Sequence, residues 1–168
     1  MDKVEELKAK ILKAQSENDI AALYLLEQDS QDIFDEETLH AYYANILDLA
    51  LERLTDTLES HRKMDMTEVQ DFATARALYE YAMEHYSANQ IADAAALFEV
   101  LSGMSNDDKF SWSLKLHHFA AAENLSLDDF LSNMADLEVT QANGTFYISG
   151  FTKEAQQLLD NVKEKGAL

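Results

Sequence analysis

Apolar residues recur every three or four positions along most of this chain, the spacing that places side chains on one face of an α-helix. Two such sets open the sequence: Val4, Leu7 and Ile11, followed by Ile20, Leu23 and Leu26. A longer set runs from Asp35 to about Ser60 and begins with three acidic residues, which favour a helix N-terminus. The pattern predicts two short helices and one long helix within residues 1–62.

The same period continues through residues 67–124. We predict an antiparallel helix pair over 67–88 and 90–103, turned at Asn89, because asparagine tolerates the left-handed backbone of a tight turn. A further helix follows Asn106 and ends near Asn124, and Ser126 is placed to cap another.

The helical spacing of apolar residues ends near residue 138. β-Branched and aromatic residues at 138–141 and 145–148 flank Asn143-Gly144, a sequence typical of a two-stranded hairpin. Thr152 is then placed to cap a last helix over residues 153–165. We therefore predict a helix, a small β-hairpin and a C-terminal helix over residues 126–168.

Composition narrows the classes of partner. The chain has 13 basic against 32 acidic residues and a net charge of -19, which disfavours nucleic acid and anionic membrane surfaces. It has no cysteine, which excludes disulfides and thiolate sites and suits a reducing compartment. With no export signal and no stretch of bilayer-spanning length, we expect a cytoplasmic protein without membrane insertion.

Chemistry-bearing motifs are scarce. There is no glycine-rich phosphate loop and no serine between glycines, so we expect no enzyme activity and no cofactor. Two pairs, Glu36 with His40 and His61 with Asp65, have helical i, i+4 spacing. Each offers only two ligands, and we therefore predict no metal site.

Residues 77–101 resemble one tetratricopeptide repeat. The positions that carry the resemblance are Ala82, Asn89, Ile91, Ala94 and Phe98, which follow the small, turn, apolar, small and aromatic order of that repeat. His85 and Leu101 depart from the pattern, and no proline closes the repeat. The resemblance implies a mainly α fold, a helical hairpin array or bundle with the small C-terminal β-hairpin, which we expect to form a single domain over residues 1–168.

Within that class, residues 70–120 resemble the class II chaperones of bacterial type III secretion systems. The matching features are Leu78-Tyr79, the second tyrosine at Tyr86, and the aromatics Phe110 and Trp112 of the next helix. The resemblance implies a non-catalytic chaperone that holds a secreted, translocator-like client in the cytosol, and a homodimer is compatible with it. After Asn124 the family continues with helical repeats, whereas this sequence indicates a β-ribbon.

The resemblance further implies a peptide-binding groove. Its predicted residues are Tyr79, Met83, Tyr86 and Ile91, which would contact an extended client segment. An aromatic stripe at helical spacing is also typical of a buried core, here beneath the long helix over 35–60. The sequence leaves both interpretations of these side chains open, a peptide-binding groove and a buried core.

A second interpretation concerns the chain from Phe110 onward. Two helices, over 110–124 and 127–137, followed by a ribbon at Asn143-Gly144 resemble a winged-helix module of the PCI-type scaffold proteins. The second helix, taken through Glu138, has four acids and no base, which favours protein contact over DNA. The alternative function is therefore a scaffold subunit of a larger protein assembly.

Overall fold

A computed structural model describes residues 2–164, and this part of the chain is mainly helical. The helices are α1 (Lys3–Ser16), α2 (Ile20–Leu25), α3 (Glu27–Ile33), α4 (Glu36–Glu59), α5 (Val69–Ser87), α6 (Ile91–Met104), α7 (Asp108–Ala122), α8 (Leu127–Asp129), α9 (Leu137–Asn143) and α10 (Lys153–Glu164). After α8 the chain continues as a π-helical turn over Phe130–Met134. The predicted helical bundle is confirmed at this level. Residue 165, the end of the predicted last helix, lies outside the described residues.

Side-chain caps define where most of these helices begin. A carboxylate accepts a hydrogen bond from the backbone N–H three residues later, which satisfies a donor that has no partner within the helix. The capping residues of this kind are Asp2, Asp19, Asp35, Asp107 and Asp136. The predicted cap at Ser126 is also present, with its Oγ accepting from the N–H of Asp129 at 3.1 Å.

Left-handed asparagines end three of the helices. Asn18, Asn89 and Asn124 have φ values of 53°, 63° and 62° and follow α1, α5 and α7. Asparagine adopts this region at lower cost than other non-glycine residues. The predicted turn at Asn89 is confirmed, and asparagine serves here in a chain with only four glycines and no proline.

The chain divides into two compact units, Met1–Leu78 and Tyr79–Leu168, with the boundary inside α5. Leu7, Ile11, Ile20, Leu23 and Ile46 belong to the buried core of the first unit. There the hydroxyl of Tyr42 on α4 donates to the carbonyl oxygen of Leu23 on α2, so the long helix is fixed to the short one. The predicted single domain over 1–168 stays a prediction.

Buried aromatic rings dominate the core of the second unit. Tyr86 and Phe98 contact each other across the α5–α6 turn, with ring centroids 5.8 Å apart. Ala82 and Ala94, the predicted small positions, are fully buried. Helix α10 packs its Leu159 with Leu116 of α7 in the same unit.

The predicted β-hairpin is wrong. Residues 137–143 form α9 instead of a strand, and Ala135 and Phe151 form an isolated antiparallel bridge. Gly144 is the residue that explains the error. Its φ of 69° and ψ of 25° are left-handed, and its N–H donates to the carbonyl oxygens of Thr140 and Gln141. Asn-Gly therefore ends a helix here, a use of left-handed glycine as common as the hairpin turn.

Tertiary hydrogen bonds select the helix at this point. The hydroxyl of Thr140 donates to the carbonyl oxygen of Asp136 at 2.9 Å, inside α9. The hydroxyl oxygen of Thr140 also accepts from the N–H groups of Ser149 and Gly150, at 3.1 and 2.9 Å. These bonds hold the segment after Gly144 against α9 without any strand pairing.

Candidate functional site

The predicted groove residues lie on α5 and at the start of α6, within the second unit. Tyr79 and Tyr86 are only 4% and 1% exposed, whereas Met83 and Ile91 are half-buried. The structure therefore places the two tyrosines in the core and leaves only the other two side chains partly accessible. Their role as a peptide-binding set stays a prediction.

Tyr79 takes part in a buried hydrogen-bonded chain. Its hydroxyl oxygen accepts from the N–H of Ile148 at 3.0 Å and lies 2.8 Å from Nε2 of His117. Nδ1 of His117 lies 2.6 Å from the carbonyl oxygen of Ser113. Because that carbonyl only accepts, the proton is on Nδ1, and Tyr79 donates its hydroxyl proton to Nε2. These hydrogen bonds connect α5, α7 and the segment after α9.

Burial sets the protonation states of His117 and Tyr79. It lowers the pKa of His117 to about 4, so the imidazole is neutral at pH 7. Burial also raises the pKa of the Tyr79 hydroxyl, which stays protonated. The Tyr79 hydroxyl and both ring nitrogens of His117 have partners among the described residues. The arrangement stabilises the fold.

Tyr86 has a similar structural role. Its hydroxyl donates to the carbonyl oxygen of Leu125 at 2.7 Å, just after the left-handed Asn124 at the end of α7. Burial raises the pKa of this hydroxyl to about 12. Tyr86 therefore holds the chain reversal after α7 against α5.

An open apolar surface is present on the first unit instead. We call it the α2–α5 groove, a cleft of about 350 Å³ between α2, residues 66–67 and the first half of α5. Its apolar lining comprises Ala21, Tyr24, Leu25, Met66, Val69 and Phe72. Leu25 is 85% exposed, Val69 64% and Phe72 45%. Three large apolar side chains are thus accessible around one cleft.

Hydrogen bonds fix the two walls of this groove. The side-chain amide of Gln70 on α5 donates to the Asp19 carboxylate at 2.6 Å, and its oxygen accepts from the N–H of Ala21 at 3.2 Å. The same carboxylate caps α2 by accepting from the N–H of Ala22 at 2.9 Å. One glutamine thereby positions the start of α2 beside the start of α5.

Charged groups lie at the groove's edges. Arg76 pairs with Glu27 at 3.1 Å, and its guanidinium lies 4.0 Å from the ring centroid of Tyr24. On the preceding turn of α5, the buried carboxylate of Asp71 pairs with Arg53 at 2.9 Å, and Arg53 also pairs with Glu68 at 3.0 Å. The pair with Glu27 fixes the guanidinium of Arg76 at the edge of the groove.

None of the predicted site residues lines this groove. The signal is the spacing of Val69, Phe72 and Arg76, which lie three and four apart and so share one face of α5. The buried residues Ala75, Leu78 and Ala82 follow a different face of the same helix. The face with Ala75, Leu78 and Ala82 enters the core, and the face with Val69 and Phe72 stays exposed.

The sequence-derived metal pairs form no metal site in the part of the chain that is described. Glu36 and His40 share an open surface depression with Asp35 and Glu37 at the start of α4. Among residues 2–164, no group of three or more potential ligands is arranged to hold a metal ion. None of the described helices combines the length and apolar character that crossing a bilayer requires.

Comparison with models of known protein families, with curated proteins and with solved structures finds no match to this chain. The resemblance to tetratricopeptide-containing chaperones therefore rests on the residues named above.

Proposed function

We propose that this protein is a non-catalytic binding protein that holds an apolar segment of another protein in the α2–α5 groove, as a chaperone holds a secreted client. The observation that carries the proposal is the exposure of Leu25, Val69 and Phe72 around one cleft. Contiguous exposed apolar surface with a polar rim is typical of protein-interaction sites.

The free energy available from this surface suits a reversible complex. Full burial of one large apolar side chain contributes about 1.5–3 kcal/mol, and three are accessible here. Association opposes this with at least about 4 kcal/mol of lost rigid-body freedom. The groove therefore supports a complex that forms and releases, which is what a holding chaperone requires.

Charge indicates the kind of segment that fits. The chain has 32 acidic against 13 basic residues, and Glu27 pairs with Arg76, which lines the groove. A client segment that places lysine or arginine beside its apolar side chains would meet an attractive field along its approach. The same acid excess would keep a complex with an apolar client in solution.

This proposal keeps the predicted class of function and moves the surface. The resemblance implied a groove at Tyr79 and Tyr86, whose rings are buried within the second unit. The scaffold alternative depended on a β-ribbon as its wing, and residues 137–143 are helical instead. We therefore propose the holding function alone.

A peptide titration tests the proposal. The probe is a fluorescein-labelled synthetic peptide of about 15 residues, with leucine and phenylalanine at i, i+3 and i+4 and lysine on its other face. Anisotropy measures its affinity for the full-length protein and for Phe72→Glu and Val69→Glu. The control protein is Leu137→Glu, since Leu137 is 53% exposed on α9 of the second unit. The control peptide has the same lysines with alanine at each apolar position.

We expect each groove variant to weaken binding of the probe at least about tenfold, which corresponds to about 1.4 kcal/mol. The Leu137→Glu protein should bind as the natural sequence does, and the alanine peptide should bind weakly to all of them. Circular dichroism checks that the variants keep their helical content. Equal affinity for both peptides would show that charge alone drives the binding, and an equal loss in Leu137→Glu would show that the loss is not specific to the groove. Either result would refute the proposal.

A further inference from the structure

A second cleft, of about 310 Å³, lies wholly within the second unit. It is formed by the first turns of α7, the segment 149–152 and the start of α10. Its lining includes Lys109, Trp112, Ser113, Phe151 and Lys153. We call it the tryptophan cleft. Its volume is at the lower end of the range for small-molecule sites, about 300–1,000 Å³.

Positive charge collects around this cleft in an otherwise acidic chain. Lys109 and Lys153 line it and are exposed, and neither forms an ion pair with a described residue. A third cation, the Lys115 ammonium, lies 5.9 Å from the ring centroid of Trp112. The sequence neighbours Asp108 and Glu154 make no ion pair with these lysines. The cleft therefore has two ammonium groups available for an anion.

The hydroxyl of Ser113 supplies a further donor. Ser113 is 3% exposed and lines the cleft, and its hydroxyl makes no hydrogen bond to any other residue within 2–164. The only hydrogen bond of Ser113 to another side chain is made by its carbonyl oxygen, which accepts from His117. This hydroxyl can therefore donate to a ligand in the cleft.

We propose that the tryptophan cleft binds a small aromatic carboxylate. The carboxylate pairs with the ammonium groups of Lys109 and Lys153 and accepts from the hydroxyl of Ser113. The indole of Trp112 and the ring of Phe151 provide apolar walls for the ligand's ring. This site is independent of the α2–α5 groove, which belongs to the first unit.

The chain's composition provides a direct assay, because Trp112 is its only tryptophan. Phenylacetate is the probe, and it is titrated into the full-length protein while tryptophan fluorescence is recorded. Phenylacetamide, a neutral molecule of nearly the same shape, is titrated in parallel. The variant is the double substitution Lys109→Gln and Lys153→Gln, and the control is Lys63→Gln, an exposed lysine of the first unit.

Phenylacetate should change the fluorescence saturably and bind at least about tenfold more tightly than phenylacetamide. The double variant should lose at least about tenfold in affinity for phenylacetate, and Lys63→Gln should bind as the natural sequence does. Inorganic phosphate should bind more weakly than phenylacetate, because it has no ring for the apolar walls.

Three results would overturn the inference: no saturable change with phenylacetate, equal affinity for phenylacetamide, or unchanged affinity in the double variant. Because both lysines are exposed, their substitution leaves the core intact, and loss of binding is not explained by unfolding. The double variant should still bind the amphipathic peptide in the α2–α5 groove. Failure of the tryptophan cleft is thereby distinguished from failure of the proposed holding function.

Discussion

The buried imidazole of His117 makes the stability of this protein depend on pH in a calculable way. Its pKa in the folded protein is about 4, against 6.5 for an unperturbed histidine. The unfolded chain therefore binds a proton more readily than the folded chain between these values, and the free energy of unfolding falls as pH is lowered through that window. The difference of about 2.5 units corresponds to about 3 kcal/mol in full, and about 2 kcal/mol of it is lost between pH 7 and pH 5.

The matched variant is His117→Gln. Glutamine does not titrate, yet its carbonyl oxygen can accept from the Tyr79 hydroxyl and its amide can donate to the Ser113 carbonyl oxygen, replacing both bonds of the imidazole. Urea unfolding followed by circular dichroism at pH 7, 6 and 5 gives the free energy of unfolding of both proteins. Carboxylates that titrate over this range contribute equally to the two and cancel in the difference.

We expect the natural sequence to lose about 2 kcal/mol more than His117→Gln between pH 7 and pH 5. Most of the loss should fall below pH 6.5, where the unfolded histidine becomes protonated. Parallel losses in the two proteins would show that His117 is not the titrating group. They would refute the assignment of a neutral, fully enclosed imidazole.

Three further substitutions test contacts within the two units. A Cβ at Gly150 would lie 2.6 Å from atoms of α9, so Gly150→Ala should destabilise the protein by about 1–3 kcal/mol. Gly103→Ala, with open space at the new Cβ inside α6, should instead stabilise the protein by up to about 1 kcal/mol. Thermal unfolding measures both effects. In the first unit, Arg53→Ala removes a donor from the buried carboxylate of Asp71 and should cost about 1–3 kcal/mol in urea unfolding. A neutral effect of Gly150→Ala would contradict the close contact between α9 and the segment after it.

Helix positions were largely predictable because their signals are local. The predicted helix from Asp35 to about Ser60 is observed as Glu36–Glu59, with Asp35 as its cap. The left-handed turn at Asn89 follows from a single residue type between two periodic segments. Periodicity, capping side chains and turn residues all act within a few positions, so they can be read directly along the chain.

The error at residues 137–148 shows where local signals end. Asn-Gly requires a left-handed glycine both in a hairpin turn and at a helix C-terminus, so the dipeptide favours either. The choice is made by Thr140, whose hydroxyl oxygen accepts from Ser149 and Gly150 nine and ten residues later. No property of the segment alone predicts that pairing.

The tyrosine stripe had a similar ambiguity. Helical spacing showed that Tyr79 and Tyr86 share an apolar face, and it did not show what covers that face. The covering groups include His117 and Ile148, which are 38 and 69 residues away from Tyr79. The accessible apolar residues of the groove, such as Val69, lie on another face of the same helix.

Because α5 runs unbroken from Val69 to Ser87 across the boundary at Leu78, separating the two units by truncation would cut a helix in half. Each fragment would carry about ten residues of α5 at its cut end, which is shorter than an isolated helix needs to be stable in water. Fragments intended for separate study should therefore both retain the whole of α5, and a protease that attacks exposed loops should find no cleavage point at this boundary.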